Sequence, residues 1–185
     1  MAEFPDLLDT LKRSAAALQD AEVPFALGGG LACWARGGPE TEHDVDYMVR
    51  PEDAQRALDA LQKAGFKTEK PPENWLFKAY NGDVLIDLIF HPQGGPVNDG
   101  VLERAEELEV QAVRMLVMTL EDVMVTKLLA LREHEVDYDS VLEVARSLRE
   151  QIDWDDVRER TSESPYARAF FFLGQELEIL PRSAE

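Results

Sequence analysis

The sequence predicts an α+β fold, a mixed-sheet α/β core followed by a mainly helical C-terminal part, and three stretches carry that expectation. "PFALGGGLACWARG" (24–37) runs a short apolar strand into a glycine turn and a helix start. "NWLFKAYNGDVLIDLIF" (74–90) sets two apolar runs on either side of Asn81-Gly82, a dipeptide suited to a two-residue hairpin turn. From Thr119 onward the apolar residues recur mostly at helical spacing.

Taken in order, Leu7, Leu8, Leu11, Ala15 and Leu18 predict an amphipathic helix over 6–20. A strand at "PFAL" follows Pro24, and the helix begun at "LACWARG" is stopped by Gly37, Gly38 and Pro39. "HDVDYMV" (43–49) reads as a strand from its β-branched and aromatic content. After Pro51 comes a helix with Leu58 and Leu61 facing inward and Gly65 as its C-terminal cap. The Asn81-Gly82 hairpin leads to a loop at "HPQGGP", helix is expected over 101–108, and "AVRMLVM" is a candidate strand. Thr119 with Asp122 predicts a capping box opening a helix that runs to about His134. Helix is expected from there to about Leu180, with a break near "TSESP" and helix packing for Phe170, Phe171 and Phe172. The division is set at residues 1–97 for the core and 98–185 for the helical region.

Composition narrows the function classes. The net charge is −18, from 37 acidic and 19 basic residues, which repels polyanions at long range and favours cationic substrates or partners. Cys33 is the only cysteine, so neither an internal disulfide nor a cysteine-based zinc site is available. No apolar run is long enough to span a membrane, and "MAEFPDLLDT" lacks the charge and apolar pattern of a secretory signal. A cytoplasmic location is the expectation.

Two carboxylates stand out. Asp44 and Asp46 are two apart on the expected strand, so both side chains leave the same face while Val45 and Tyr47 turn into the core. Like charges so close repel, and desolvation adds to the cost; a divalent cation offsets both, and carboxylate oxygens are what Mg²⁺ takes. Asp87 lies mid-strand between Ile86 and Leu88, where an unpaired charge is expensive. If its strand lies beside that of Asp44 and Asp46, three carboxylates converge, enough for the paired metal ions of an in-line phosphoryl displacement. Gly28, Gly29 and Gly30 stand before a helix start, where backbone N–H groups can meet a phosphate and no Cβ keeps it away. No P-loop or dinucleotide-binding fingerprint is present.

Together these residues resemble the nucleotidyltransferase superfamily of DNA polymerase β type. Its signature is Gly followed by Gly or Ser, then roughly nine to thirteen residues, then Asp-apolar-Asp/Glu-apolar, with a third carboxylate on a later strand. Gly29-Gly30, Asp44-Val45-Asp46-Tyr47 and Ile86-Asp87-Leu88 fit that pattern. Gly30 takes the position where Ser is common, and Gly28 one where an apolar residue is usual. The layout looks most like a small bacterial branch of AbiEii-type and related tRNA-modifying toxins and lincosamide and aminoglycoside nucleotidyltransferases.

The resemblance implies a nucleotidyltransferase core with an NTP co-substrate and two Mg²⁺ ions held by Asp44, Asp46 and Asp87. Gly28, Gly29 and Gly30 would contact phosphates. Lys127, the only charge in "VMVTKLLAL", would reach the triphosphate, and Arg36 is the nearest further cation. Arg132, Asp137 and Asp139 resemble the basic and acidic positions that follow this lysine. The acceptor hydroxyl is left open among tRNA, a protein, and a small cationic molecule such as an aminoglycoside. The rival reading is a non-catalytic nucleotide-sensing or partner-binding module of a toxin–antitoxin or regulatory system, with a protein antitoxin as a possible partner. His43 is expected to face away from both aspartates, and Trp34 and Trp75 to belong to the core.

Overall fold

A strand whose alternate residues are fully apolar can bury only one face, and β2 (Asp44–Val49) decides the centre of this molecule in that way. In this computed structural model, which describes residues 3–41, 44–133 and 135–181, Val45, Tyr47 and Val49 are completely buried on one side. The Tyr47 hydroxyl donates to the carbonyl of Leu11 at 3.1 Å and lies 2.8 Å from Ser14 Oγ, pinning the strand to helix α1 (Phe4–Asp20). Asp44 and Asp46 are thereby turned to the opposite face.

Six further strands join β2 in one sheet. They are β1 (Phe25–Leu27), β3 (Lys67–Glu69), β4 (Leu76–Asn81), β5 (Val84–Ile89), β6 (Glu106–Val110) and β7 (Val113–Val117). The order is β3-β4-β5-β2-β1-β7-β6, so the aspartate-bearing strands β2 and β5 are interior neighbours. These two run parallel, as do β1 and β7, and the remaining pairs are antiparallel. Helices α1 and α3 (Ala54–Lys63) cover the Tyr47 face. The short helix α2 (Gly29–Trp34) packs on β2 from the aspartate side and meets α5 (Leu120–Ala130).

The rest is helical: α4 (Asp99–Arg104), α6 (Tyr138–Leu148), α7 (Trp154–Arg160) and α8 (Pro165–Glu176). Side-chain oxygens of Asn98, Thr119, Asp137, Asp153 and Ser164 accept backbone N–H bonds at the starts of α4, α5, α6, α7 and α8, which satisfies donors the helices leave open. Trp154, Phe170 and Phe171 stack among themselves in the helical core. Buried Asp122 of α5 receives Arg104 of α4 in a two-bond fork at 3.0 and 3.1 Å, and also bonds Arg160 of α7. No helix among the described residues is long and apolar enough to cross a membrane.

Several expectations change in detail. Helix α4 ends at Arg104 and β6 follows, because Glu106–Val110 pairs with the β7 strand that "AVRMLVM" supplies. The sheet therefore takes in two strands from beyond residue 97, and continuous helix starts only at Leu120. Asn81 pairs with Val84, so the hairpin turn is Gly82-Asp83, with only Gly82 at positive φ. Asn81 instead donates to Thr10 Oγ1 at 2.8 Å and accepts from Arg13 at 3.0 Å, tying the hairpin to α1. Helix α5 stops at Ala130, since Leu131 is extended and Arg132 bridges to Glu135. The Asp122 side chain is held by the two arginines. Phe172 is 68 % exposed, unlike its buried neighbours Phe170 and Phe171. His43 and His134 lie outside the described residues.

Candidate active site

The parallel register of β2 and β5 places Asp46 directly beside Asp87 and Asp44 beside Leu85. Side-by-side residues of a parallel pair share a face, so the three carboxylates converge. One oxygen from each of Asp44, Asp46 and Asp87 lies within 4.8 Å of the other two. Asp44 and Asp46 are half-buried and Asp87 is buried. Burial, then the charge of Asp44 and then that of Asp87, pushes the Asp46 carboxyl well above the usual carboxylate range, while Lys127 pulls it down. Burial and then Asp44 raise the Asp87 carboxyl to about 6, with Lys78 opposing. Both shifts record acids held close together and away from water.

Geometry agrees with that. Asp87 Oδ1 is buried and has no hydrogen-bond partner among the described residues. Among the described residues the cation paired with it is Lys78 of β4, its cross-strand partner, with Nζ 4.0 Å from that oxygen. Three hard oxygen donors, one of them unsatisfied, make a donor set suited to a divalent cation such as Mg²⁺.

The glycine turn is built against the same carboxylates. Gly28 N–H donates to the Asp46 carbonyl at 2.8 Å, continuing the β1–β2 pairing into the turn. Gly29 has φ +56°, and a Cβ there would lie 1.7 Å from Asp46 Oδ2. A Cβ on Gly30 would come within 2.6 Å of Thr41 Oγ1. Glycine is thus required at 29 by the backbone and by the aspartate together, and at 30 by Thr41.

Opposite the sheet, α5 contributes Lys127, half-buried and without an ion pair among the described residues. It lines two cavities. One of about 470 Å³ also contacts Gly29, Asp46, Trp75, His91 and Glu135; the other, of about 320 Å³, contacts Gly30, Cys33, Thr41 and Ser140. Around this cleft Gly29 and Asp46 border the first cavity, Gly30 the second and Lys127 both, and Asp44 and Asp87 stand beside Asp46. Gly28 is buried behind it against Met48 and Met118. Arg36 does not join them: its guanidinium donates to the carbonyls of Val117 and Met118 and pairs with Glu106, latching the end of α2 to β7 and β6.

Four neighbours of the site are not expected from the sequence. Lys78 faces Asp87 because the hairpin register sets them opposite, and that register moved when the turn proved to be Gly82-Asp83. Trp75 is 40 % exposed on the cleft wall, its carbonyl accepting from both Phe90 and His91. Glu73 and Glu135 add carboxylates to the larger cavity from segments far apart in the chain, which no local pattern reveals.

Comparison with known proteins gives the family and the fold. A model of the family described as "Uncharacterised nucleotidyltransferase" matches residues 6–175. No curated relative matches the chain in sequence. Among solved structures, ANT(2'')-Ia in complex with adenylyl-2''-tobramycin is similar, with a TM-score of 0.63 and 14 % identity over 90 % of this chain and 97 % of that one. The lincosamide adenylyltransferase LnuA, bound to lincomycin, has a TM-score of 0.51 and 14 % identity over 84 % of this chain and 97 % of that one.

Proposed function

The chain belongs to this nucleotidyltransferase family, and from that premise we propose that it moves a nucleoside monophosphate from an NTP to the hydroxyl of an acceptor, with Mg²⁺. The observation that carries the reading is the meeting of Asp44, Asp46 and Asp87 within 4.8 Å, with Gly29 backbone against Asp46 and Lys127 across the cleft. When bound by the three carboxylates, Mg²⁺ would neutralise the triphosphate and polarise the phosphorus.

The protein's own groups would do the rest. Gly29 and Gly30 let phosphate approach the backbone, and the Lys127 ammonium supplies a positive charge to it. The acceptor oxygen attacks the α-phosphorus, the bond to the bridging oxygen breaks, and pyrophosphate leaves with that electron pair. Asp87, which β5 holds directly beside Asp46, takes the hydroxyl proton. Catalysis of this kind rests on positioning and charge neutralisation.

A small cationic acceptor, of the aminoglycoside sort, is our reading of the acceptor class. It is supported by Glu73, Glu135 and Asp46 around a cavity of about 470 Å³, the size of a small-molecule site, and by the exposed face of Trp75. Lys127 and Arg132 are the basic residues of the same lining. The role would be cytoplasmic inactivation of such a compound. A toxin-like enzyme acting on tRNA or a protein, held by an antitoxin, is the outcome to which a macromolecular product would point.

The test exposes the protein and an Asp46→Asn variant to α-labelled NTPs, Mg²⁺ and fractionated bacterial lysate. Label transferred by the parent alone supports transfer, and the labelled fraction gives the acceptor class. Nucleotide bound without label in any fraction would instead make the chain a sensing or partner-binding module.

A further inference from the structure

Lys78 belongs to no part of the transfer reaction as described, yet among the described residues it is the cation that pairs with Asp87. It sits on β4 in direct antiparallel register with Asp87 on β5, and paired residues of such strands share a face. Its Nζ is 4.0 Å from Asp87 Oδ1, the buried oxygen left without a hydrogen bond among the described residues. The lysine side chain is 29 % exposed and the aspartate 12 %, so solvent screens the pair only in part. At 4.0 Å the ammonium attracts the carboxylate without bonding it. A divalent ion on Asp87 would be a second cation in the space that Lys78 already serves.

We propose that Lys78 is the resident counter-ion of Asp87: it offsets the third carboxylate while no metal is bound, and it weakens divalent-ion binding there. The inference rests on the metal reading given above and adds a regulator to it. Without Lys78 the three acids would face one another with less of their repulsion offset, and the metal-free fold would bear more of it. With Lys78, part of that repulsion is removed in advance, and an incoming ion gains less by binding. Tight loading is then favoured only when a further polyanion, the triphosphate, arrives to hold both cations. Lys78 is a positioning residue in this account, acting on the metal site through Asp87.

The test titrates Mn²⁺ into the full-length protein without nucleotide at pH 8, where Asp87 is ionised, counting free ion by its paramagnetic resonance signal. Lys78→Met is expected to bind about tenfold more tightly than the parent, the scale of one partly screened charge. Lys78→Arg, which keeps the charge, should stay within about twofold. In an Asp87→Asn background the Lys78→Met change should have no effect on affinity. Equal or weaker binding by Lys78→Met overturns the proposal while leaving the metal site standing. Mn²⁺ binding that survives Asp44→Asn and Asp46→Asn unchanged overturns the metal reading itself. Melting curves give a second readout: Lys78→Met should melt below the parent without Mn²⁺ and regain the difference with it. A deficit that Mn²⁺ does not repair assigns the lysine an ordinary packing role; Lys78→Gln repeats the test with a shorter side chain.

Discussion

Asp122 and Asp87 are both buried acids, 3 % and 8 % exposed, and their surroundings differ in kind. Asp122 is gripped by Arg104 through two bonds and by Arg160 through another, joining α4, α5 and α7. Asp87 faces Asp44 and Asp46, keeps one oxygen without a hydrogen bond among the described residues, and has a lysine only at 4.0 Å. The cost of removing Asp122 from water is offset by cations of the same chain when it folds. For Asp87 the described residues supply only part of the offset, and the divalent ion proposed above would supply the remainder. The acid supplied with its own arginines belongs to the scaffold, and in the function proposed above the one set among other acids belongs to the chemistry.

Mutation should separate the two. Asp46→Asn is expected to lower transfer by at least about a thousandfold, since it removes a charge that would hold metal against the triphosphate. The same variant should melt no lower than the parent without metal, because it relieves repulsion; a large drop in melting temperature would count against the contrast. Gly29→Ala comes next. The left-handed backbone alone costs about 1–2 kcal/mol, and the added Cβ would displace the Asp46 carboxylate. Transfer should fall about a hundredfold, with a loss of stability that Asp46→Asn does not show.

Asp122→Ala should reverse the pattern. It leaves two arginines without their acid, and because both are part-exposed the loss should be about 2–3 kcal/mol, between buried and surface values. Denaturant melts would show that loss, and Mn²⁺ affinity at the triad should be unchanged. The smallest and most diagnostic effect is on pH dependence. The Asp87 carboxyl is raised from 3.8 to about 6 in the folded protein, so between those values the folded state binds more protons than the unfolded one. Metal-free stability should therefore fall as pH rises from about 4 to about 6, by up to about 3 kcal/mol from this group, and then level off. Asp87→Asn should flatten that slope in a denaturant series, and Mg²⁺ should offset the loss above pH 6.

Much of the site was legible because it is written in local patterns. The two-residue spacing of Asp44 and Asp46 fixes their shared face whatever the fold, and the apolar residues around Asp87 mark it as a buried charge. The glycines at 29 and 30 are legible as required, though their immediate reason proved to be Asp46 and Thr41 side chains. Arg36 illustrates the limit. As the nearest cation ahead of Asp44 it is expected to bind nucleotide, but its partners are the carbonyls of Val117 and Met118 and the carboxylate of Glu106, far away in the chain, and no local rule reports those. Lys78, Glu73 and Glu135 were invisible for a related reason, since each depends on pairing register or on the approach of distant loops. Strand β6 was misread because its glutamates suit a helix, and only pairing with β7 makes it a strand.

Tyr47 lies on the reverse side of the strand that carries the aspartates, bonded to Leu11 and close to Ser14. Sliding β2 by one residue against its neighbours would send both carboxylates into the apolar interior and bring Val45 and the tyrosine ring out into the cleft. No half-shifted arrangement leaves a working enzyme inside a loosened fold. Activity and native structure should accordingly vanish at one temperature on heating, and return together on cooling.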